Sequence, residues 1–259
     1  MARLDVYLVE RGYFSSRARA QAAVEGGFVT VGGEVARKAA MQVRSGGEAD
    51  GAPACADGVE VLPGAYEGAS LYVGRGGAKL AAALDRFGID VSGADALDIG
   101  ASTGGFTDCL LRRGAARVFC VDVGEGQLHA ALRADPRVTL FERTNARSLA
   151  PGQINGGACA FAVVDVSFIS LTHVLAPTFA QLSAAGSALC LVKPQFEVGP
   201  RHVGKKGVVR DERQRARAVD LVASAAQALG LRELGRMRSP ILGGGGNAEF
   251  FLWLSAYML

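Results

Sequence analysis

The chain has 259 residues, 49% of them hydrophobic and 20% charged, with 28 lysines and arginines against 25 aspartates and glutamates, a net charge of +3. That composition excludes long disordered spans, and the 35 glycines follow no three-residue period, which excludes a collagen-like chain. The opening MARLDVYLVERG interleaves charged and apolar residues, and no run approaches the ~18 apolar residues of a membrane span, so a protein that stays in the cytoplasm is expected. The five cysteines (Cys55, Cys109, Cys120, Cys159 and Cys190) lack C-x-x-C spacing, and His129, His173 and His202 are not spaced as ligands. Neither a disulfide framework nor a metal site is expected. Only five of the 28 basic residues are lysines: Lys38, Lys79, Lys193, Lys205 and Lys206.

The first sixty residues read as a small α+β unit. Leu4, Val6, Leu8 and Val9 lie in a short helix ending near Gly12. Ser15 or Ser16 caps a second helix, SRARAQAAVEGG, which stops at Gly26-Gly27. FVTVGGEVAR is a hairpin signal around Gly32-Gly33, and EVLPG (60–64) resembles a last short strand. The segment PGAYEGAS has linker composition. The expected division is 1–62, a linker 63–71, and a second domain 72–259.

From residue 71 onward strand and helix signals alternate. GGAKLAAALDRFGI reads as a helix, ADALDIG as a buried strand, and GGFTDCLLRRG as a helix. ARVFCVDVG follows as a strand and EGQLHAALRAD as a helix. VTLFER, AFAVVDV and SALCLV continue the strands, with THVLAPTFAQLS as a helix between the last two. RDERQRARAVDLVASAAQALG is a long amphipathic helix, and LRELGRMRSP and EFFLWLS are two strands joined by a glycine-rich loop. The alternation predicts a doubly wound parallel sheet, and the final pair an antiparallel addition at one side.

The string Asp98-Ile-Gly-Ala-Ser-Thr-Gly-Gly-Phe106 joins a strand end to a helix start. Its glycines, Gly100, Gly104 and Gly105, do not follow G-x-G-x-x-G, so the loop suits a ligand with an amino-acid end rather than a pyrophosphate. Asp122 ends the next strand, where an acid can bind ribose hydroxyls. Asn145, after the third strand, either reaches an adenine edge or merely caps a turn. Asp165 and Lys193 end two further strands and so share a rim with Asp98 and Asp122. Lys79 on the entering helix and Glu249 at the start of the last strand complete a set of two cations and two carboxylates. Such a set can position and deprotonate a weak acid such as a sugar hydroxyl. Residues 201–217 hold seven basic residues against two acidic, and residues 1–45 seven against four, which suggests contact with a phosphate backbone.

These strings together resemble the TlyA (hemolysin A-like) group of ribosomal RNA 2′-O-methyltransferases within the FtsJ-like methyltransferases. The carriers are YVGRGGAKL, DIGASTGGFTD, VDVGEGQL, ERTNAR, VVDVSFISL, LVKPQFEVG and GNAEFFLWL, in order over 72–254. RLDVYLVERG, SRARAQ and VTVGG resemble the small RNA-binding domain named after ribosomal small-subunit protein four. The resemblance implies a seven-stranded Rossmann-like sheet that binds S-adenosylmethionine, with a catalytic tetrad on Lys79, Asp165, Lys193 and Glu249. It implies a cofactor site formed by Asp98, Gly100, Ser102, Gly104, Gly105, Phe106, Asp122, Asn145 and Asp165. Arg3, Arg11, Arg17, Arg19, Arg37, Lys38, Lys205 and Lys206 are expected to grip ribosomal RNA or a ribosomal subunit. The family has longer members acting on cytidine in both subunits and shorter ones associated with the large subunit. This chain starts two residues before Arg3 and ends five after Leu254, like the shorter form, so large-subunit RNA is the expected target. The competing expectations are a non-catalytic RNA-binding protein on a methyltransferase fold and, third, a membrane-active hemolysin.

Overall fold

The apolar strings of the second half become neighbouring strands because their residues are buried on both faces, as a parallel sheet covered by helices requires. In the computed structural model, which describes residues 2–14, 16–44, 58–61, 72–205 and 207–256, β6 (Asp95–Ile99), β7 (Arg117–Val121), β8 (Val138–Phe141), β9 (Cys159–Val164), β10 (Leu182–Val192), β11 (Leu231–Arg238) and β12 (Phe250–Ala256) form one sheet. Its order is β11-β12-β10-β9-β6-β7-β8. The pairs β10–β9, β6–β9, β6–β7 and β7–β8 are parallel, and β12 runs antiparallel to both β10 and β11. The sheet is thus the expected seven-stranded α/β architecture with its antiparallel member near one edge.

Helices cover both faces. α3 (Arg75–Phe87) and α4 (Gly105–Arg112) bury Leu80, Leu84, Cys109 and Leu110 against one face. α7 (Glu212–Ala228) buries Ala218, Val219 and Val222 against the other, with Asp211 capping it by accepting from Arg213 N at 2.8 Å. The string EGQLHAALRAD forms only the short α5 (Ala130–Arg133). Asp122 and Glu142 accept hydrogen bonds from Gly124 N and Gly126 N, at 2.7 and 2.6 Å, and hold the preceding residues out of a helix. THVLAPTFAQLS likewise breaks into a 3₁₀ turn, Leu171–His173, and α6 (Leu175–Phe179).

The amino-terminal unit contains α1 (Leu4–Glu10) and α2 (Arg17–Glu25), the latter capped by Ser16 Oγ. β2 (Val29–Val31) and β3 (Glu34–Val35) form the expected hairpin, and β5 (Val59–Val61) pairs with β2. A two-stranded ribbon, β1 (Ala2–Arg3) with β4 (Gln42–Val43), had no sequence signal. Leu4, Tyr7, Leu8, Val24 and Phe28 form its core, and Ala78 and Ile241 of the larger unit pack into the same cluster. Ser15, Cys55, Lys206 and the linker 63–71 lie outside the described residues.

Candidate active site

Parallel strands end on one rim, and register decides which side chains meet there. Ile99 pairs with Val164, so the turn at Gly100 lies beside Asp165, whose amide donates to Ile99 O at 2.9 Å. Gly100 has φ +85°, and a Cβ on it would stand 2.3 Å from the Asp165 carbonyl oxygen. Because the obstacle is backbone, only glycine fits this close approach. Ser102 also has positive φ, +47°, held by its amide donating 2.7 Å to Asp122 Oδ2. Asp122 Oδ1 accepts from Gly124 N at 2.7 Å, so one carboxylate ties together the loops after β6 and β7.

These loops border a cavity of about 360 Å³. Gly100, Ser102, Asp122, Gln127, Asn145 and Asp165 supply its polar lining, and Val121, Val123, Ile169 and Val174 its apolar wall. Asn145 Oδ1 accepts from Arg147 N at 3.0 Å and so caps a turn, while its Nδ2 has no protein partner among the described residues. The turn cap is thus observed, and the Nδ2 is left free beside the cavity.

A second cavity of about 310 Å³ adjoins the first and shares Gly100, Ser102, Asp165 and Ser167 with it. Lys79, Lys193, Glu249, Gly105 and Phe106 also line it. The register again explains the meeting. Val192 pairs with Phe250, so Lys193, just past the end of β10, and Glu249, just before β12, flank each other at the rim. The four charged groups form two pairs. Lys79 Nζ donates to Glu249 Oε2 at 2.6 Å with both side chains buried. Lys193 Nζ lies 2.5 Å from Asp165 Oδ1 as an ion contact, and its hydrogen bond goes to Ser167 Oγ at 2.9 Å. A Cβ on Gly243 would lie 1.7 Å from Glu249 Oε1, so the glycine-rich loop before β12 presses directly on that carboxylate.

Other expected residues sit elsewhere. Asp98 does not line either cavity. It is fully buried beneath the loop, its Oδ2 accepting from Thr107 Oγ1 at 2.6 Å, and burial pushes its carboxyl up to about 7. Gly104 packs against Leu128 and Leu132, and it too lines neither cavity. Arg3 and Arg17 do not present free charges: both pair with the buried Asp5, at 3.0 and 3.2 Å, where Gln21 also donates at 2.7 Å. A count of basic residues misses this, because the acid that holds them is buried. Arg11 lies over the Tyr7 ring, 5.5 Å from its centroid. Arg19, Arg37, Lys38 and Lys205 are exposed, and Lys206 lies outside the described residues.

Sequence reasoning missed Arg75, Gln127, Ser167 and Phe168. Phe168 is 92% exposed, has φ +64°, borders the first cavity and stands 5.3 Å from the Phe196 ring. A large apolar side chain held exposed on a strained backbone beside a cavity is a candidate ligand contact. The loop string itself carries no periodic signal for it.

Residues 72–256 match the family model for FtsJ-like methyltransferase, and residues 2–48 that for the S4 domain. The 16S/23S rRNA (cytidine-2′-O)-methyltransferase TlyA of Mycobacterium tuberculosis is 46% identical over 98% of this chain and 89% of its own length. The 23S rRNA (cytidine-2′-O)-methyltransferase TlyA of Campylobacter jejuni is 35% identical over 71% of this chain and 70% of its own. A solved structure from Streptococcus thermophilus, described as a hemolysin, superposes with a TM-score of 0.71 at 37% identity, covering 98% of this chain and 88% of the other.

Proposed function

The chain belongs to the FtsJ-like methyltransferases, and from that premise we propose that it transfers a methyl group from S-adenosylmethionine to the 2′-hydroxyl of a cytidine in ribosomal RNA. The observation that carries the reading is the convergence of Lys79, Asp165, Lys193 and Glu249 on one cavity that opens into the nucleoside-sized cavity beside it. The 23S RNA of the large subunit is a target of both the Mycobacterium tuberculosis and the Campylobacter jejuni relatives, and we propose it as a target here. A cytoplasmic location follows from that substrate.

The first cavity fits the cofactor. Gly100 leaves room where a Cβ would collide, so a ligand can approach the backbone. Each Asp122 oxygen accepts one loop amide and keeps a further lone pair for a ribose hydroxyl. The apolar wall and Asn145 suit a purine. Bound there, S-adenosylmethionine supplies an activated sulfonium methyl, so the protein's main task is to align a nucleophile with it.

That task falls to the second cavity. Lys193, fixed between Asp165 and Ser167, is placed to orient the 2′-hydroxyl and to steer its proton away as the oxygen gains its carbon. Lys79 and Glu249 form the cavity's inner wall as a buried ion pair, whose charges set the field in which the hydroxyl and Lys193 meet. Phe168 offers a face on which the target base can stack at the cavity mouth. Domain roles follow the same division: residues 1–62 hold RNA, 63–71 connect, and 72–259 perform the chemistry.

The test is transfer of labelled methyl groups to isolated ribosomal subunits, followed by mapping of 2′-O-methylated nucleotides. Lys193→Ala abolishes transfer while S-adenosylmethionine affinity stays within a few-fold. Lys193→Arg fails as well, because a guanidinium holds its proton and its planar fork does not fit a point-charge site. Full activity in a folded Lys193→Ala protein overturns the assignment. Transfer to the small subunit alone overturns the proposed target.

A further inference from the structure

We infer that the groove between the two domains is a binding site for the phosphodiester backbone of the RNA strand that leads to the target nucleotide. The inference deepens the ribosomal RNA reading and rests on it. The groove is a cavity of about 450 Å³. One wall is the β2–β3 hairpin with the end of α2, contributing Glu25, Glu34 and Arg37. The other is the start of α3 and the segments near 208–215 and 242–246, contributing Arg75, Arg210 and Arg215.

Charge argues for an anion. Four arginines meet two glutamates there. Arg215 is pinned, its Nε donating to Val209 O at 2.8 Å and its other end paired with Glu212. Arg37, Arg75 and Arg210 have no ion pair or hydrogen bond among the described residues, although Glu25 and Glu34 line the same space. Guanidinium groups left unpaired around one concavity match the bidentate geometry of phosphate.

Position argues for a strand rather than a small anion. Arg75 lines both this groove and the tetrad cavity, and the glycine-rich loop does the same, Gly243 facing the groove and Gly244 the tetrad. The Arg75 guanidinium reaches across to the amino-terminal unit, Nη1 lying 3.4 Å from where a Cβ on Gly27 would be. The groove therefore runs from the expected RNA-holding domain to the chemistry, with arginines along its length outnumbering the two glutamates that line it. The two basic stretches noted in the sequence, one in each domain, meet here at Arg37 and Arg210. A chain of phosphates entering between the domains would meet Arg37 and Arg210 on opposite walls and Arg75 at the inner end. Phosphate contacts of this kind fix register without reading sequence.

The experiment uses the full chain and a labelled single-stranded oligocytidylate, with affinity measured across a range of salt. Arg75→Gln with Arg210→Gln weakens binding at least about tenfold at low salt. The same change reduces the slope of log affinity against log salt by about 1.4, two contacts on a single strand. Arg37→Gln alone, on the opposite and exposed wall, lowers the slope by about half as much. Melting temperature and S-adenosylmethionine affinity remain those of the parent, which separates a lost contact from a lost fold. An unchanged slope in both variants overturns the inference. So does displacement of the oligonucleotide by inorganic phosphate at equal phosphate concentration, which identifies a small-anion site. Failure of the inference is distinguishable from failure of the enzymatic reading. An unchanged slope with normal methyl transfer sinks only the groove, and an arginine-dependent slope without any methyl transfer sinks only the reaction.

Discussion

The buried pair Lys79–Glu249 separates a structural role from a catalytic one. Glu249→Gln removes one charge and leaves the Lys79 ammonium, 8% exposed along its side chain, without the carboxylate 2.6 Å away. Breaking one side of a buried pair costs about 3–5 kcal/mol, because the surviving charge is stranded. For a chain of this size each kcal/mol moves the melting temperature by roughly 2–4 °C, so the variant melts some ~6–20 °C below the parent. Replacing both partners, Lys79→Met with Glu249→Leu, removes the stranded charge. The shapes are similar, so stability returns to the parent value or rises by up to ~4 kcal/mol. Leucine also lacks the oxygen that Gly243 accommodates so closely, which eases that contact. Methyl transfer does not return, because the double variant keeps the wall and loses its charges. The assay pairs calorimetric melting of the cofactor-free protein with single-turnover methyl transfer. A Glu249→Gln protein that melts like the parent refutes the burial argument. A double variant active to within tenfold of the parent refutes a role for the pair in the reaction.

Asp122→Ala weakens S-adenosylmethionine binding by about 1.5–3 kcal/mol, read by titration calorimetry, because a charge-assisted contact is lost. The loops at Ser102 and Gly124 also exchange hydrogen faster, since the same carboxylate holds both amides. Phe168→Ala raises the RNA concentration needed for half-maximal rate and leaves cofactor affinity and melting unchanged, since the side chain is 92% exposed. An unchanged RNA dependence removes it from the substrate site. Asp5 gives a pH dependence. Arg3 above all, with Gln21 and Arg17, holds its carboxyl well below the usual carboxylate range against the opposing push of burial. The stability it contributes is therefore present above the unfolded value of ~3.9 and lost as pH falls through the folded one. Asp5→Asn lowers stability at pH 7 by about 2 kcal/mol, less than a fully buried pair because Arg3 and Arg17 stay half-exposed. The gap between variant and parent narrows steadily below pH ~4, followed by hydrogen exchange in residues 4–25.

Residues with one dominant environment were legible in the sequence. DALDI, RVFCV and CAFAVV are buried on both faces past their first residues, and Glu212–Ala228 carries an apolar stripe behind an aspartate cap, so hydrophobic pattern alone predicts both. Residues whose conformation is set by a distant partner were not. The segment 125–129 has helical spacing, yet side chains from 122 and 142 take up the amides at 124 and 126 and keep the loop open. The turn at 171 is held by Glu197, which accepts from Leu171 N at 2.9 Å. The pairing of Arg3 and Arg17 with Asp5 was not legible either, because it forms only once α1 and α2 pack together, with both arginines still half-exposed.

The site follows the same logic one level up. Asp165 and Lys193 could be placed on a common rim because parallel strands share their carboxyl ends, a rule that needs no coordinates. Glu249 precedes its strand, so it reaches that rim only because β12 runs antiparallel to β10. Its start then lies where the other strands stop. The pairing Val192 with Phe250 fixes the side chain as well as the end. A slip of one residue in β12 would turn Glu249 to the opposite face and leave Lys79 without its counter-charge. The two ion pairs are thus held by different means: Lys193–Asp165 by neighbouring strand ends, and Lys79–Glu249 by the direction and register of the last strand. An insertion of one residue in the glycine-rich loop leaves that register intact. A one-residue insertion within β12 itself does not, and it separates the buried pair while most of the sheet persists.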